Sequence, residues 1–259
     1  MKLSAASLVL AAVSVTACDV KVDENGIRGM SISEGRAEDV WSRTYTLPPD
    51  GSLDISADSG AITVRGGDSP QIEVRAERQA RANTEEEART LLEKLQIREE
   101  AAPRSVKLTT VGGETTWAPP GFGRRAIARV EYHVQVPVGL ALTLRTENGS
   151  ITGEDLAGAF TAETVNGTIR VDLASVTGDV ALSTTNGGVR LTFPTSAKAN
   201  LEASVVNGGI DIDDEFGLDH REGRNRSVNG AINGGGHKVS ARSVNGGIRI
   251  RARREDSSH

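Results

Sequence analysis

Cysteine is all but missing from this chain, with one residue, Cys18, in 259. A single thiol excludes an internal disulfide framework and any zinc site built on cysteines. Aromatic residues are scarce too: two Trp, two Tyr and four Phe make 3% of the chain, so a core has to be aliphatic and thin. Positive charge is not in excess. Lys and Arg number 30 against 35 Asp and Glu, a net charge of −5, which argues against nucleic acid as a partner. The most apolar stretch, Leu8 to Val15, is too short to span a bilayer as a helix. No Gly-x-Ser-x-Gly nucleophile motif and no phosphate-binding loop occurs, and Gly234-Gly235-Gly236 reads as a flexible turn. The four histidines, His133, His220, His237 and His259, include no pair at metal-ligand spacing. No cofactor is expected.

The N-terminus carries an address. Met1-Lys2-Leu3 followed by the apolar stretch reads as a secretory signal peptide over residues 1–17, to be set apart from the fold. The junction Val15-Thr16-Ala17-Cys18 resembles the lipobox of bacterial lipoproteins. That resemblance implies cleavage before Cys18 and lipidation of Cys18 by a thioether-linked diacylglycerol, usually with an amide-linked acyl chain. Two or three chains, at ~0.8 kcal/mol per buried methylene, anchor far more firmly than one. Residues 18–40 are polar and without sustained period, and read as the lipidated N-terminus and a flexible tether. The folded domain is expected over 41–259.

What the chain has in abundance is Asn-Gly. Eight of its eleven Asn precede a Gly, where chance pairing gives about one. From residue 140 the pairs Asn148-Gly149, Asn166-Gly167, Asn186-Gly187, Asn207-Gly208, Asn229-Gly230 and Asn245-Gly246 recur at spacings of 18, 20, 21, 22 and 16. Three residues after each Asn stands an Ile or Val: Ile151, Ile169, Val189, Ile210, Ile232 and Ile248. Apolar and polar residues alternate on both sides, as in half-buried strands. Each pair is assigned to a sharp turn between two strands, with positive φ expected. The unit around Asn229 is the degenerate one. An earlier copy, Leu53, Ile55, Ser59-Gly60, Ile62 and Val64, has the same offsets. Two more strands fit around Ile72–Val74 and Val130–Val136. Hairpins and stacked coils share these offsets, but near-constant spacing favours stacking.

One helix is expected over about 84–95. Asn83, Thr84, Glu86 and Glu87 offer capping boxes, and Ala88, Leu91, Leu92 and Leu95 make one apolar stripe. Over about 41–251 the chain resembles the putative-adhesin family of bacterial envelope proteins. The resemblance rests on Leu53-Asp54-Ile55 to Val64, the mid-chain helix, Tyr132–Gly139 and the Asn-Gly-x-Ile units. It implies a β-solenoid, often lipid- or membrane-anchored, and no catalytic residues. The fold expected is therefore all-β: a repeat β-solenoid, single-stranded and β-helix-like, with coils of about 20 residues and one short inserted helix.

Three groups stand out as candidate sites. Asp211, Asp213, Asp214, Glu215 and Asp219 form an acidic cluster that reads as a solvated face; paired carboxylates of this kind also serve as acid and base or ligate Ca²⁺. Trp117, Phe122, Arg124 and Arg125 lie in a long Gly- and Pro-containing loop and suit a contact surface. Arg249, Arg251, Arg253 and Arg254 make the C-terminus basic, suited to solvent or to an anionic lipid or polymer. Together these point to a lipid-anchored extracytoplasmic protein on the periplasmic face or cell surface, non-enzymatic and adhesin-like, binding or structural. Its expected partners are the membrane, through the lipid, and an envelope or surface protein or glycan. The alternatives are a glycan-active enzyme on a β-helix scaffold, or a periplasmic accessory to envelope-stress signalling.

Overall fold

Because apolar and polar residues alternate on both sides of Asn148, Asn166, Asn186, Asn207 and Asn245, each of these repeats has two strands with inward faces, and the corner between them sends the two into different sheets. The computed structural model describes residues 35–112, 126–222 and 226–253. The first part holds β1 (Gly35–Thr46), β2 (Ser52–Ser59), β3 (Ile62–Gly67) and β4 (Gln71–Ala82). The helix α1 (Glu85–Lys94) follows, then β5 (Gln96–Ala102), β6 (Ser105–Val111) and β7 (Ile127–Pro137). Three successive repeats supply β8 (Ala141–Asn148), β9 (Ile151–Leu156), β10 (Phe160–Asn166), β11 (Ile169–Leu173), β12 (Val180–Asn186) and β13 (Val189–Pro194). A fourth gives β14 (Ala199–Asn207) and β15 (Ile210–Ile212). After β16 (Asp219–Glu222) and β17 (Ser227–Ile232), the last repeat gives β18 (His237–Asn245) and β19 (Ile248–Arg253).

The strands form two large mixed sheets. The nine-strand sheet runs β1-β4-β7-β3-β9-β11-β13-β19-β15, and the ten-strand sheet runs β16-β17-β14-β18-β12-β10-β8-β2-β6-β5. The all-β expectation and the inserted helix hold, but the single-stranded, β-helix-like solenoid does not. Parallel pairs occupy the middle of both sheets, while β1-β4, β4-β7, β5-β6, β14-β17 and β16-β17 are antiparallel. Nor do the coils stack in chain order. The coil of β6 and β7 lies outside that of β2 and β3, and the coil of β18 and β19 inserts between β12–β13 and β14–β15. The five Asn-Gly coils present the same ladder at the same offsets, so any of these can stack on another. The antiparallel β17 covers one edge of β14 and leaves the other edge to β18.

Other expectations are corrected locally. Asn229 and Gly230 are not at a turn; they lie within β17, opposite Glu202 and Leu201 of β14. Residues 35–40, expected in the tether, belong to β1. Cys18 and the rest of residues 1–34 fall outside the described residues, as do Trp117, Phe122, Arg124, Arg125 and the tail from Arg254.

The Asn-Gly corners hold the stack by three side-by-side ladders. Gly149 and Gly167 do not take the positive φ expected, whereas Gly187, Gly208 and Gly246 do, at 157–159°. Glycine is required at all of these corners for room, and at Gly187, Gly208 and Gly246 also for a φ that L side chains rarely adopt. A Cβ on Gly149, Gly167, Gly187 or Gly246 would lie 1.9 Å from the carbonyl oxygen of the glycine in the next coil. Two residues before each Asn, the buried hydroxyls of Thr146, Thr164, Thr184 and Ser243 donate to those same glycine carbonyls at 2.9–3.1 Å. The asparagines make the outermost ladder. In the spatial order Asn148, Asn166, Asn186, Asn245, Asn207, each side-chain amide from Asn166 onward donates at 2.9 Å to the side-chain carbonyl of the asparagine before it.

Inside, the core is aliphatic, with Leu144, Ile151, Ile169, Leu191, Ile248 and Ile250 fully buried. Helix α1 packs on β1 and β4 at one end. The Thr84 hydroxyl caps it by accepting from the Glu87 amide, and Ala88 and Leu95 are buried beneath it. Arg78 ties this end together, bonding Asp39 of β1 and the Leu95 carbonyl. At the other end a short 3₁₀ turn, Asp214–Phe216, stacks Phe216 on Phe193 with ring centroids 4.5 Å apart.

Candidate binding face

Strand alternation divides each sheet into a buried face and an outward one, so the chemistry available to a partner is that of the outward rows. On the ten-strand sheet several outward charges satisfy one another. Arg145 bridges Asp54 and Glu163, and Glu202 takes both Lys238 and Arg242. These contacts hold the Glu202 carboxyl below the usual range.

The nine-strand sheet is different. Its registers place Arg75, His133, Thr63, Thr152, Arg170, Arg190, Arg249 and Asp211 in one outward row across β4, β7, β3, β9, β11, β13, β19 and β15. Toward the α1 end of this row is a shallow open depression of about 540 Å³ bordered by Ser42, Arg65, Arg75, His133 and Glu154. Arg65 pairs with Glu154 there, and Arg75 with Glu77. Toward the other end, Arg170, Arg190 and Arg249 are exposed.

The acidic cluster does not assemble as a site. Arg251 bonds Asp211 and also Asp213 at 3.1 Å, and the second Asp213 oxygen accepts the Ala252 amide at 2.9 Å. The Arg251 guanidinium, helped by Arg249, holds the Asp211 carboxyl below the usual carboxylate range. That is the wrong direction for a general acid at neutral pH. Among the described residues no three His, Cys, Asp or Glu are grouped to hold a metal ion. Asp213 and Asp214 instead border a cavity of about 170 Å³ with Ile212 and Leu218. Arg253, likewise, is not a solvated terminal cation: it bonds Asp155 at 2.7 Å and Asp172 at 3.1 Å. Burial nonetheless pushes the Asp172 carboxyl up, outweighing Arg253.

Of the histidines, His133 and His237 lie in different sheets. His133 is exposed on β7 beside buried Tyr132, and His237 opens β18 with Nδ1 3.6 Å from Asp179. Gly234 and Gly235 follow Asn233 with φ of 51–83° across the three, and the Asn233 amide bonds the Thr195 and Ala197 carbonyls. The turn is thereby tied to the neighbouring segment. Sequence reasoning missed Arg170 and Arg190. The signal was present in the column four residues after each Asn, which reads Thr152, Arg170, Arg190, Asp211 and Arg249.

Among the described residues no helix is long and apolar enough to cross a membrane. No curated protein matches the chain. A solved structure described as a "putative cell adhesion protein" from Clostridium sporogenes ATCC 15579 superposes with a TM-score of 0.53 at 13% identity, over 83% of this chain and all of that one. It shares the fold. A "putative adhesin" from Bacteroides fragilis NCTC 9343 and a "putative lipid binding protein" from Parabacteroides distasonis ATCC 8503 each cover 83% of this chain and 97% of their own. Their identities are 10% and 7%, with TM-scores of 0.26 and 0.20. Residues 140–251, the stretch holding the stacked repeats and the Arg170–Arg190–Arg249 row, match the family described as Toastrack DUF4097.

Proposed function

We propose that this chain is a lipid-anchored extracytoplasmic protein whose two-sheet stack is a non-enzymatic binding or structural element of the cell envelope. Anchoring rests on the lipobox-like Val15-Thr16-Ala17-Cys18, which contains the chain's only cysteine. The sixteen residues between Cys18 and β1 set an upper reach of about 55 Å from the membrane. Binding rests on one observation above the others: a rigid, hydrogen-bonded face exposes Arg170, Arg190 and Arg249 in one outward row. A flat, charged surface of this kind suits recognition of an extended partner more than enclosure of a small substrate.

The test of the anchor is fractionation of cells making the tagged protein and its Cys18→Ser variant. The wild type is expected in the membrane fraction and the variant in the soluble extracytoplasmic fraction; equal membrane retention of both refutes the lipid anchor. Protease added to intact cells then separates the two faces. Digestion places the domain on the surface, and protection until lysis places it in the periplasm.

A further inference from the structure

Arg170, Arg190 and Arg249 stand side by side on β11, β13 and β19. Neighbouring parallel strands are about 4.8 Å apart, so the three guanidinium stems repeat at that step along the stack. Like charges directly opposite one another destabilise a sheet. Yet among the described residues these three arginines make no ion pair, while Arg145, Arg251 and Arg253 on the outer faces each hold two carboxylates. The coil order creates the row. Stacked in chain order, β15 would follow β13 and set Asp211 beside Arg190. Insertion of β19 puts Arg249 there instead and moves Asp211 to the edge, where Arg251 takes it.

We propose that this row binds a linear polyuronate, a polysaccharide carrying one carboxylate on each sugar ring, lying along the stack axis. The proposal rests on the envelope-binding reading and names its ligand class. Guanidinium forks match carboxylates in bidentate geometry, and a hexuronic acid ring is about as long as the strand spacing of about 4.8 Å. Thr152 and Thr63 continue the row with hydroxyls suited to sugar hydroxyls. The chain's net charge of −5 makes attraction of a polyanion a property of this row and not of the whole surface. A flat anionic membrane fits less well, because Glu154, Asp172 and Asp213 share the outward face and would be pressed against it.

The experiment uses the purified full-length protein in neutral detergent with immobilised polygalacturonate. Dextran and phosphatidylglycerol vesicles serve as comparisons. Binding to polygalacturonate is expected at low salt and weakens as salt rises. Arg190→Thr reduces it about fivefold or more, and replacing all three arginines by Thr abolishes it without lowering the melting temperature. Arg145→Thr, on the opposite sheet, leaves binding within about twofold. Replacement of all three by Lys keeps part of the affinity, as expected when charge remains and the fork is lost. Absence of binding by the wild type, unchanged binding by the triple Thr variant, or equal binding of dextran overturns the proposal. Stronger binding to vesicles that is lost in the triple variant assigns the row to lipid headgroups instead, which also overturns it. Binding is read on purified protein, so a wrong cellular location leaves this result untouched.

Discussion

Replacing Gly167 by Ala adds one methyl group at the middle of the corner ladder, and its cost follows from the stacking geometry. Gly167 does not take a positive φ, so the backbone tolerates alanine and only space is at issue. The new Cβ would lie 1.9 Å from the Gly149 carbonyl oxygen and 2.6 Å from its carbon. Reaching ordinary contact requires the two coils to part locally by about 1.5 Å, enough to take nearby hydrogen bonds beyond their usual length. Those bonds are Thr164 hydroxyl to Gly149 carbonyl at 2.9 Å, Gly149 amide to Asn166 carbonyl at 3.2 Å, Ile151 amide to Thr168 carbonyl at 3.1 Å, and Asn166 amide to Asn148 at 2.9 Å. At about 0.5–1.5 kcal/mol each, the loss is on the order of 4 kcal/mol. In a domain of this size that lowers Tm by roughly 8–16 °C. The control is Gly209→Ala, where nothing lies within 4 Å of the new atom and a change below about 0.5 kcal/mol is expected. Thermal melting followed by far-ultraviolet circular dichroism compares the two variants. Melting temperatures of the two variants within about 2 °C of each other would falsify the close-approach account of the glycine ladder.

The hydroxyl ladder is tested by Thr184→Val, which keeps the shape but removes the donor 3.0 Å from the Gly167 carbonyl; a loss of about 1 kcal/mol is expected, and an unchanged urea midpoint refutes it. Asn186→Ala breaks two amide bonds of 2.9 Å and should cost about 1 kcal/mol. Asn229→Ala, in the interior of β17, should cost less than about 0.5 kcal/mol; equal effects would mean that the amide ladder contributes nothing. Burial pushes the Tyr132 phenol up to about 12 from its ordinary value of 10.0, and burial with the nearby Glu99 carboxylate also raises Tyr45. The folded state then holds the Tyr132 proton more tightly than the unfolded chain. Stability should be level below pH 10 and fall between pH 10 and about 12, with Tyr132 alone contributing about 1.4 kcal/mol per pH unit and Tyr45 adding to it. Phenolate absorbance appearing near pH 10 while circular dichroism remains native contradicts this. Arg190→Thr removes the middle of three like charges, so it should raise stability by a few tenths of a kcal/mol while weakening polyuronate binding. A lower melting temperature would mean that Arg190 has a structural partner.

Much of the fold was legible because its determinants are local. Ile151, Ile169, Val189 and Ile248 mark the inward positions after four of the five corners and are buried, while Ile210 on the edge strand β15 is half-buried. The Thr84–Glu87 box and the Ala88–Leu95 stripe marked the helix to within a residue or two. Where the outcome depends on an edge, the signal fades. Strand β5, Gln96–Ala102, is exposed along nearly its whole length and is paired only with β6, so its residues carry no alternation. The first half of β1 is likewise an edge pairing with β4, and residues 35–40 show no apolar run to announce it. Asn229-Gly230 misled for the opposite reason. The dipeptide permits a corner without enforcing one, and pairing of its segment along β14 decided against it.

The candidate face was less legible because its contacts are set by coil order. Within any one repeat, Arg170, Arg190 or Arg249 is simply an outward arginine on an alternating strand, and nothing local distinguishes it from the ion-paired Arg251 two residues along. What separates them is which coil lies alongside. Arg251 meets Asp211 and Asp213 because β15 is its neighbour, while Arg190 meets Arg249 because β19 came between. The interchangeable ladders that make the stack stable therefore also leave its order undetermined by any single unit. That order rests on β17, which occupies the outer edge of β14, and on the 3₁₀ turn that seats Phe216 on Phe193 and closes the far end. Those capping elements contain none of the three arginines, yet by fixing which coil is last they decide whether Asp211 stands between Arg190 and Arg249 or outside them.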